Sequence, residues 1–347
     1  MPAKTRQLDI RKELMQQLLP KVDALKGRRM IIVGDSGLDE YVFGKVRRIS
    51  PEAPVPVVEV TDNGGASDYR LGLSTNVAQN ITALGGECLL VSVVGDDAAA
   101  KKLAQLLERE RISPEHLVVD HSRPTTRKLR VMSGQHHLVR VDFEHQRFLS
   151  DELHDKICKT VSSLLPKADG VIIQDYAKGV VSESCVQQIV KLTKAAGKKV
   201  LADPHRSTPL SYYKGTDLMT PNYDEAVALS GLRVDDLRQV SDSLQEVGDA
   251  LRAGTGSRQM VITRGKEGMS LFEGEQSTRI PTFAKQVFDV AGAGDTVIAA
   301  LSMAWVGGLS LEDSCLIANH AAGVVVGKVG CVPCTRDELI QAIKEHA

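Results

Sequence analysis

The chain has 347 residues, of which 42% are hydrophobic and 25% are charged, so that a large core is possible and a disordered protein is excluded. The 43 Lys and Arg residues nearly balance the 44 Asp and Glu residues, and only 4% of residues are aromatic. A nucleic-acid partner is therefore not expected, and no apolar run reaches the ~20 residues that a membrane span needs. Six scattered cysteines without an export signal predict a cytoplasmic protein with reduced thiols.

Residues 1–26 are predicted to form a helical extension, because Leu8, Leu14 and Leu18 recur at roughly helical spacing. From residue 27 to residue 347, short apolar runs end in small or polar residues and alternate with helical stretches. The runs are 29–33, 89–94, 170–173, 199–202, 217–219 and 260–262, and the helical stretches are 97–110, 151–165, 182–196, 241–253, 297–305 and 312–328. This alternation predicts an α/β fold with a doubly wound, mostly parallel sheet, in which ligands bind at the carboxyl ends of the strands.

Two segments break the alternation. Residues 55–60 and 126–143 have a strand-like pattern without an intervening helix, and a candidate turn at Ser133-Gly134 makes the second segment a predicted hairpin. We expect residues of about 40–62 and 125–145 to form a small β-sheet that covers the active edge as a lid. A sheet of few strands is marginal in water by itself, which predicts a homodimer through the lid.

The strongest local motif is the run Asp289–Thr296 (DVAGAGDT), which directly precedes a helical stretch. Small residues let backbone N–H groups approach an anion, and a helix N-terminus adds the positive end of its dipole. Gly292, Ala293 and Gly294 would form this anion site, and Asp295 would accept a proton from a hydroxyl group held beside the anion. The alternative is a loop whose Asp only caps the helix.

A second motif, Thr220–Glu225 (TPNYDE), lies where a predicted strand ends and a helix begins. Asn222 and Glu225 are three residues apart, so that both face one side of the first helical turn. An amide and a carboxylate there can hold hydrated Mg²⁺ beside the phosphates of a nucleotide. The same spacing is that of a capping box, and the sequence leaves both interpretations open.

The segment Gly34–Gly37 (GDSG) follows the first predicted strand and resembles the Gly-Asp-Ser that serine hydrolases carry near a strand end. A nucleophilic Ser36 needs a His and an orienting acid, and the two Asp-x-x-His spacings in the chain fall in the predicted lid and in a helix. We favour the alternative that Asp35 and Asp39 hydrogen-bond a polyol at the edge of the sheet.

Together these motifs resemble the ribokinase-like (PfkB) carbohydrate kinases over nearly the whole chain, from about Met30 to Ile343. Asp289–Asp295 matches the family signature D-x-x-G-A-G-D, while Asn222 and Glu225 match the N-x-x-E that orders Mg²⁺–ATP. The resemblance implies a ribokinase-like fold with a β lid, ATP as phosphoryl donor, Mg²⁺ held directly or through water, and room for a monovalent cation near the Asp295 loop. Asp295 would be the general base. The implied nucleotide contacts are Asn222, Tyr223, Asp224, Glu225, Thr263 and Gly265.

Within that family, five runs look like those of the D-glycero-β-D-manno-heptose 7-phosphate kinases. They are 49–58 (ISPEAPVPVV), 128–131 (KLRV), 140–144 (RVDFE), 175–179 (DYAKG) and 321–328 (AAGVVVGK). This implies phosphorylation of the anomeric hydroxyl to the 1,7-bisphosphate, on the route to ADP-heptose for lipopolysaccharide. A kinase of another sugar or sugar phosphate is the alternative; a hydrolase at Ser36 or a non-catalytic sugar binder is remote. Bifunctional relatives add a nucleotidyltransferase domain with a His-x-Gly-His motif, and its absence here predicts the kinase alone.

The resemblance also implies residues for the sugar phosphate. Asp35, Asp39 and Asn76 are the predicted contacts of the sugar hydroxyls, and Arg48, Lys128 and Arg130 are the predicted contacts of its phosphate. Three positions depart from the family pattern. Leu73 stands where a lid-hinge glycine is usual, His205 stands where the heptose kinases commonly have Lys, and Ser36-Gly37 replaces an apolar pair.

Overall fold

The computed structural model describes residues 4–60, 67–134, 136–232 and 243–347, and no helix in these ranges is long and apolar enough to cross a membrane. The strands are β1 Lys4–Gln7, β2 Arg29–Gly34, β3 Ser36–Ile49, β4 Pro56–Glu59, β5 Asp68–Leu73, β6 Glu87–Val94, β7 Leu117–Val119, β8 Thr126–Ser133, β9 His136–Phe143, β10 Gly170–Gln174, β11 Lys199–Asp203, β12 Leu218–Met219, β13 Gln259–Thr263, β14 Met269–Glu273 and β15 Gln276–Ile280. The α-helices are α1 Lys12–Leu18, α2 Ser74–Ala83, α3 Ala98–Arg109, α4 Asp151–Leu164, α5 Glu183–Ala195, α6 Tyr223–Ser230, α7 Ser243–Thr255, α8 Ala293–Val306, α9 Leu311–Val325 and α10 Arg336–Lys344.

The main sheet has the strand order β1-β15-β14-β13-β12-β11-β10-β2-β6-β7. Its neighbouring strands run parallel except in the pairs β13–β14 and β14–β15. Helices cover both faces, so that the adjacent residues Ile31 and Ile32 of β2 lie in two different apolar cores. The predicted mostly parallel sheet between helices is thus confirmed. The strands β14 and β15 were not predicted, because no helix separates them and the alternation rule does not detect a hairpin.

The N-terminal segment differs from the predicted helix. Residues 4–7 form β1, which extends the main sheet beside β15, and only α1 is α-helical before a 3₁₀-helix over residues 19–25. Pro20 explains the end of α1, because proline lacks the N–H that an α-helix would use there. Met15 and Leu18 are fully buried in the same core as α8. The segment therefore contributes to the main core, and residues 1–3 lie outside the described ranges.

The lid is a five-stranded sheet in which β3 is the longest strand. β3 pairs with β8 on one side, and on its other side first with β5 and then with β4; β9 completes the predicted hairpin with β8. β3 is buried from Ser36 to Tyr41 and exposed from Lys45 onward, so that it leaves the core and enters the lid. The predicted lid segments coincide with strands β3, β4, β8 and β9 in their described residues; residues 61–62 and 135 lie outside the described ranges. β3 thereby joins the lid directly to the edge where the main strands end.

Candidate active site

Polar residues gather at the carboxyl ends of the parallel strands, as expected. Gly34 of β2 pairs in register with Gln174 of β10, which pairs with Asp203 of β11. The Gln174 amide donates to an Asp203 carboxylate oxygen at 2.7 Å. Thr263 at the end of β13 forms a bridge to Asn222, just before α6. Parallel pairing therefore places residues from four distant parts of the chain along one edge of the sheet.

Asp295 lies in the first turn of α8 and is 8% exposed. Gly292 caps this helix with φ +77°, and a Cβ there would come 2.6 Å from the side-chain nitrogen of Asn76. Glycine is thus required both by its backbone angle and by the space available. The Asn76 amide donates to Oδ2 of Asp295 at 2.7 Å, and the Tyr176 hydroxyl donates to Oδ1. Burial raises the pKa of Asp295 above its usual range, while the hydrogen bonds from Tyr176 and Asn76 lower it.

A second polar layer supports this contact from helix α2. Asn76 and Asn80 are one helical turn apart, and the Asn80 amide donates to the backbone oxygen of Asn76 at 2.9 Å. The Thr296 hydroxyl donates to Oδ1 of Asn80 at 3.0 Å. All three side chains are buried. Asn76 was predicted to contact a sugar hydroxyl, whereas the structure shows its amide directed at Asp295.

Asp39, Lys128 and Arg130 lie on the lid strands beside Asp295. Arg130 forms an ion pair with Asp39 at 2.6 Å, in which both side chains are largely buried, and its guanidinium lies 5.2 Å from the ring centre of Tyr41. Lys128 is opposite Asp39 in the β3–β8 register. The charge of Asp39 raises the pKa of Asp295 and that of Lys128 lowers it, so both groups are close to this carboxylate. These predicted substrate residues therefore do meet in one site.

Asp35 has a different environment from the one predicted. Its carboxylate accepts backbone N–H bonds from Tyr176 at 3.1 Å, Lys178 at 3.0 Å and Val180 at 3.1 Å. Asp35 is 2% exposed, and burial, with the nearby charge of Asp175, raises its pKa to about 6. In the structure Asp35 holds the loop after β10, and its predicted sugar contact stays a prediction.

Asn222 and Glu225 form a reciprocal capping box at the start of α6. The Glu225 N–H donates to Oδ1 of Asn222 at 3.0 Å, and the Asn222 N–H donates to Oε2 of Glu225 at 2.9 Å. Burial, with the negative charges of Glu225 and Asp295, raises the pKa of nearby Asp203 to about 8. Several carboxyl groups thus lie close together here. Tyr223, Asp224 and Gly265 are exposed near this cap.

This arrangement fits Mg²⁺ held mainly by water and nucleotide phosphates. Within the described ranges, no three His, Cys, Asp or Glu side chains form a group that holds a metal ion by themselves. Mg²⁺ in phosphoryl-transfer sites commonly uses one or two carboxylates, several waters and the substrate's phosphates. A capping box and a metal site are therefore compatible, and the carboxyl cluster around Glu225 would supply negative charge for the metal ion.

Arg48 does not lie near Asp39, Lys128 and Arg130. It is exposed near the end of β3, nine residues after Asp39. At about 3.3 Å per residue of strand, the two positions are roughly 30 Å apart. The other two predicted phosphate contacts, Lys128 and Arg130, lie at the site beside Asp295, whereas Arg48 lies in the distal part of the lid.

The three departures from the family pattern have different consequences. Ser36 is buried, and its hydroxyl donates to the backbone oxygen of Val93 at 3.0 Å, so that it is not presented as a nucleophile. Leu73 has φ +56°, a conformation that strains any residue except glycine by about 1–3 kcal/mol. His205 lies half-buried beside the active edge, where burial lowers its pKa and the charges of Lys178 and Lys128 lower it further.

Tyr176, Asp203 and Cys331 belong to the site but received no role in the sequence analysis. Tyr176 was part of the run 175–179, and Asp203 ends a predicted strand, so both carried a signal. Cys331 had none: burial raises the pKa of its thiol, which lies close to Asp39 and Asp295 only because the chain returns there after α9.

Comparisons with known proteins identify relatives of this chain. A model of the pfkB family of carbohydrate kinases matches residues 44–338. The chain is 39% identical over 318 residues to the bifunctional protein HldE of Helicobacter hepaticus and 40% identical over 319 residues to that of Desulfatibacillum aliphaticivorans, with 92% of this chain covered in each case. It spans 64% and 63% of the length of these relatives.

Solved structures resemble the fold. Arabidopsis thaliana ribokinase, complexed with ribose and ATP, has a TM-score of 0.70 and 22% identity, covering 92% of this chain and 99% of that one. Escherichia coli phosphofructokinase-2, in complex with potassium, has a TM-score of 0.72 and 18% identity, with the same coverage. At these identities the likeness establishes the fold alone, and the predicted ribokinase-like fold is confirmed.

Proposed function

The chain belongs to the pfkB family of carbohydrate kinases, which are ATP-dependent enzymes, and we propose that it phosphorylates the anomeric hydroxyl of D-glycero-β-D-manno-heptose 7-phosphate. The observation that carries the proposal is the buried Asp295 at the N-terminus of α8, with Lys128 and Arg130 facing the same site. The runs that resemble heptose 7-phosphate kinases include Lys128 and Arg130, and they also include Tyr176, whose hydroxyl donates to Asp295.

Asp295 acts as the general base. Its carboxylate accepts the proton of the anomeric hydroxyl while that oxygen attacks the γ-phosphorus of ATP and the bond to the β-phosphate oxygen breaks. The N–H groups of the first turn of α8 lack partners within the helix and stabilise the charge on the transferred phosphoryl group. Mg²⁺ near Asn222 and Glu225 would neutralise the ATP phosphates. A monovalent cation near the Asp295 loop would add positive charge there.

Lys128 and Arg130 recognise the substrate's 7-phosphate. They are alternate residues of β8 and so point to the same face of the lid sheet. Arg130 is held in place by Asp39 and by the ring of Tyr41, which orients its guanidinium. A planar guanidinium suits two-point binding of a phosphate, and Lys128 adds a point charge. Such a site should reject the free sugar, because the ammonium group of Lys128 would be left without the phosphate that pairs with it.

The lid also supports a homodimer. Its outer residues expose apolar side chains that a second copy of the chain would cover: Val46, Ile49, Val55, Leu138, Val139, Val141 and Phe143. β9 has no buried residue among its eight. Use of ATP and six free thiols favour a cytoplasmic location.

Asp295→Asn tests the proposed function. The variant keeps the size of the side chain and its contact with Asn76 or Tyr176, but it cannot accept a proton. Turnover of ATP with the sugar phosphate should fall by ~10²–10⁴-fold, while ATP affinity, measured by calorimetry, stays close to that of the wild type. Activity above about a tenth of the wild-type value would contradict the role of Asp295 as base.

A further inference from the structure

Both oxygens of the Asp295 carboxylate have a fixed donor. The Asn76 amide reaches Oδ2 from helix α2, and the Tyr176 hydroxyl reaches Oδ1 from the loop after β10. A carboxylate oxygen can accept two hydrogen bonds, so that each oxygen still has a free lone pair. Two donors from different elements thus fix the plane of the carboxylate without consuming its capacity as a base.

We propose that Tyr176 is a positioning residue for the phosphoryl transfer, because its hydroxyl orients Asp295 towards the acceptor hydroxyl. This inference rests on the proposed role of Asp295 as the general base. Tyr176 acts through Asp295 and carries no proton to the substrate. When the acceptor hydroxyl arrives, the carboxylate is already aligned, and the reaction does not have to restrict its rotation.

The loop that carries Tyr176 is itself held firmly. The three backbone N–H bonds to the buried Asp35 carboxylate include that of Tyr176. Ala177 has φ +55°, a strained angle that persists only where the surroundings determine it. Gly179 leaves no room for a side chain, since a Cβ there would lie 2.0 Å from the backbone oxygen of Arg147. A buried carboxylate and a strained loop both lower the stability of the fold. Precise placement of Tyr176 explains why the fold nevertheless has them.

The same loop is tied to the lid. Lys178 forms an ion pair of 2.6 Å with Glu144, which directly follows β9, and both side chains are mostly buried. The lid hairpin, the loop and the Asp295 carboxylate are therefore joined by Glu144, Lys178 and Tyr176 in succession. The residue that orients the base is thus held in the same unit as the strands that carry the proposed phosphate contacts.

Removing the Tyr176 hydroxyl changes the protonation of Asp295 in a defined direction. A hydrogen bond donated to the ionised carboxylate favours that form, so that its loss raises the pKa of Asp295 further above the usual range. Burial keeps the pKa of Tyr176 well above its usual value, and the hydroxyl stays a donor at neutral pH. The other groups that face Asp295 stay in place in the variant. They are Asp39 of β3, Asn76 of α2, Lys128 of β8, Asp203 of β11 and Cys331 after α9.

The test is Tyr176→Phe, with Tyr213→Phe as the matched control. Tyr213 is also a buried tyrosine whose hydroxyl donates to a carboxylate, but to Asp175 at 2.5 Å and not to Asp295. Turnover is measured against pH with the full chain, ATP and the sugar phosphate. In Tyr176→Phe the acid limb of the kcat profile should move up by about one pH unit, and kcat at neutral pH should fall by about tenfold. KM for ATP should change by less than about twofold.

The control variant should lose thermal stability but keep the acid limb of the wild type. An unmoved acid limb in Tyr176→Phe, with kcat within about twofold of wild type, would overturn the inference. If Tyr176→Phe does not fold, 3,5-difluorotyrosine at position 176 provides a second test. Its hydroxyl is a stronger hydrogen-bond donor and should move the acid limb of the kcat profile to lower pH. An unmoved acid limb would overturn the inference. Asp295→Asn in the same assay separates the two proposals. An active Asp295→Asn variant refutes the role of Asp295 as general base. An inactive Asp295→Asn variant, together with an unmoved acid limb in Tyr176→Phe, refutes only the positioning role of Tyr176.

Discussion

Replacement of Asp35 by Asn separates the structural role of this residue from the sugar contact that its position in the sequence suggests. In the folded protein Oδ2 accepts two backbone N–H bonds, from Tyr176 and Lys178, and Oδ1 accepts one from Val180. An asparagine has a single acceptor oxygen. Its amide group would face at least one of these N–H groups, so that donor would meet donor inside the protein.

The expected cost follows from these contacts. A hydrogen bond to a charged group contributes about 1.5–3 kcal/mol, and an unpaired buried donor costs about 1–3 kcal/mol. The loss of the carboxylate's own desolvation cost offsets part of this. We therefore expect the free energy of unfolding to fall by roughly 2–3 kcal/mol, and the loss of alignment at Tyr176 to lower kcat.

The pH dependence gives a second check. Burial raises the pKa of Asp35 to about 6, so that between about pH 4 and pH 6 the folded wild type binds more protons than the unfolded chain. The contribution of this group to stability therefore falls as the pH rises through that range. The asparagine variant lacks this slope, so the difference in stability between the two proteins should be larger at pH 5 than at pH 7.

Urea unfolding and the KM for the sugar phosphate are measured on both proteins. Asp9→Asn serves as the control, because its carboxylate is largely exposed and, among the described residues, pairs with Arg11 across a short turn. The control should change the free energy of unfolding by less than about 0.5 kcal/mol. Unchanged stability of Asp35→Asn, combined with a raised KM for the sugar, would refute our account of Asp35.

Three further predictions follow from the same structure. Lys128→Ala should raise KM for the sugar phosphate by roughly tenfold or more with little change in KM for ATP. The control is Arg127→Ala, on the opposite face of β8 and paired with Glu40, which should leave KM for the sugar phosphate unchanged. Equal effects of the two variants would contradict the role of Lys128 as a phosphate contact. His320 is buried, and burial lowers its pKa to about 4, so that between pH 4 and pH 6.5 the unfolded chain binds a proton that the folded chain does not. The free energy of unfolding should therefore fall by up to about 3 kcal/mol from pH 6.5 to pH 4. In urea titrations His320→Leu should remove this pH dependence, and an unchanged pH dependence would refute the role of His320. The wild type should sediment as a dimer at micromolar concentration and a variant with Val139→Lys and Val141→Lys as a monomer; a fully active wild-type monomer would exclude the lid dimer.

The main sheet was predictable because buried parallel strands carry a strong local signal. The strands β2, β10 and β11 appear in the sequence as apolar runs that end in Gly, Gln or Asp. The same rule brought the polar endings to one edge before any pairing was known. It failed for β1, where residues 4–7 have no apolar pattern and gain their place only by pairing with β15.

The contacts of Asp295 were less predictable because its partners are far away in the chain. Asp295 itself lies in a recognisable motif, but its partners are 219 residues away at Asn76 and 119 residues away at Tyr176. Asparagine and aspartate near a strand end can serve a ligand or a neighbouring loop, and residue type does not distinguish these uses. Asn76 and Asp35 were therefore both placed at the sugar, whereas their polar atoms are directed at the base and at the loop that orients it.

The proposed reaction transfers the γ-phosphoryl group of ATP to the anomeric oxygen of a sugar that already carries a phosphate. The most direct measurement is ³¹P NMR of the product formed from D-glycero-β-D-manno-heptose 7-phosphate and ATP, together with kcat/KM for this substrate and for the free heptose. We expect a new signal from the anomeric phosphate of the 1,7-bisphosphate, and far lower kcat/KM for the free heptose. Equal kcat/KM for the two sugars, or phosphorylation at another hydroxyl, would contradict it.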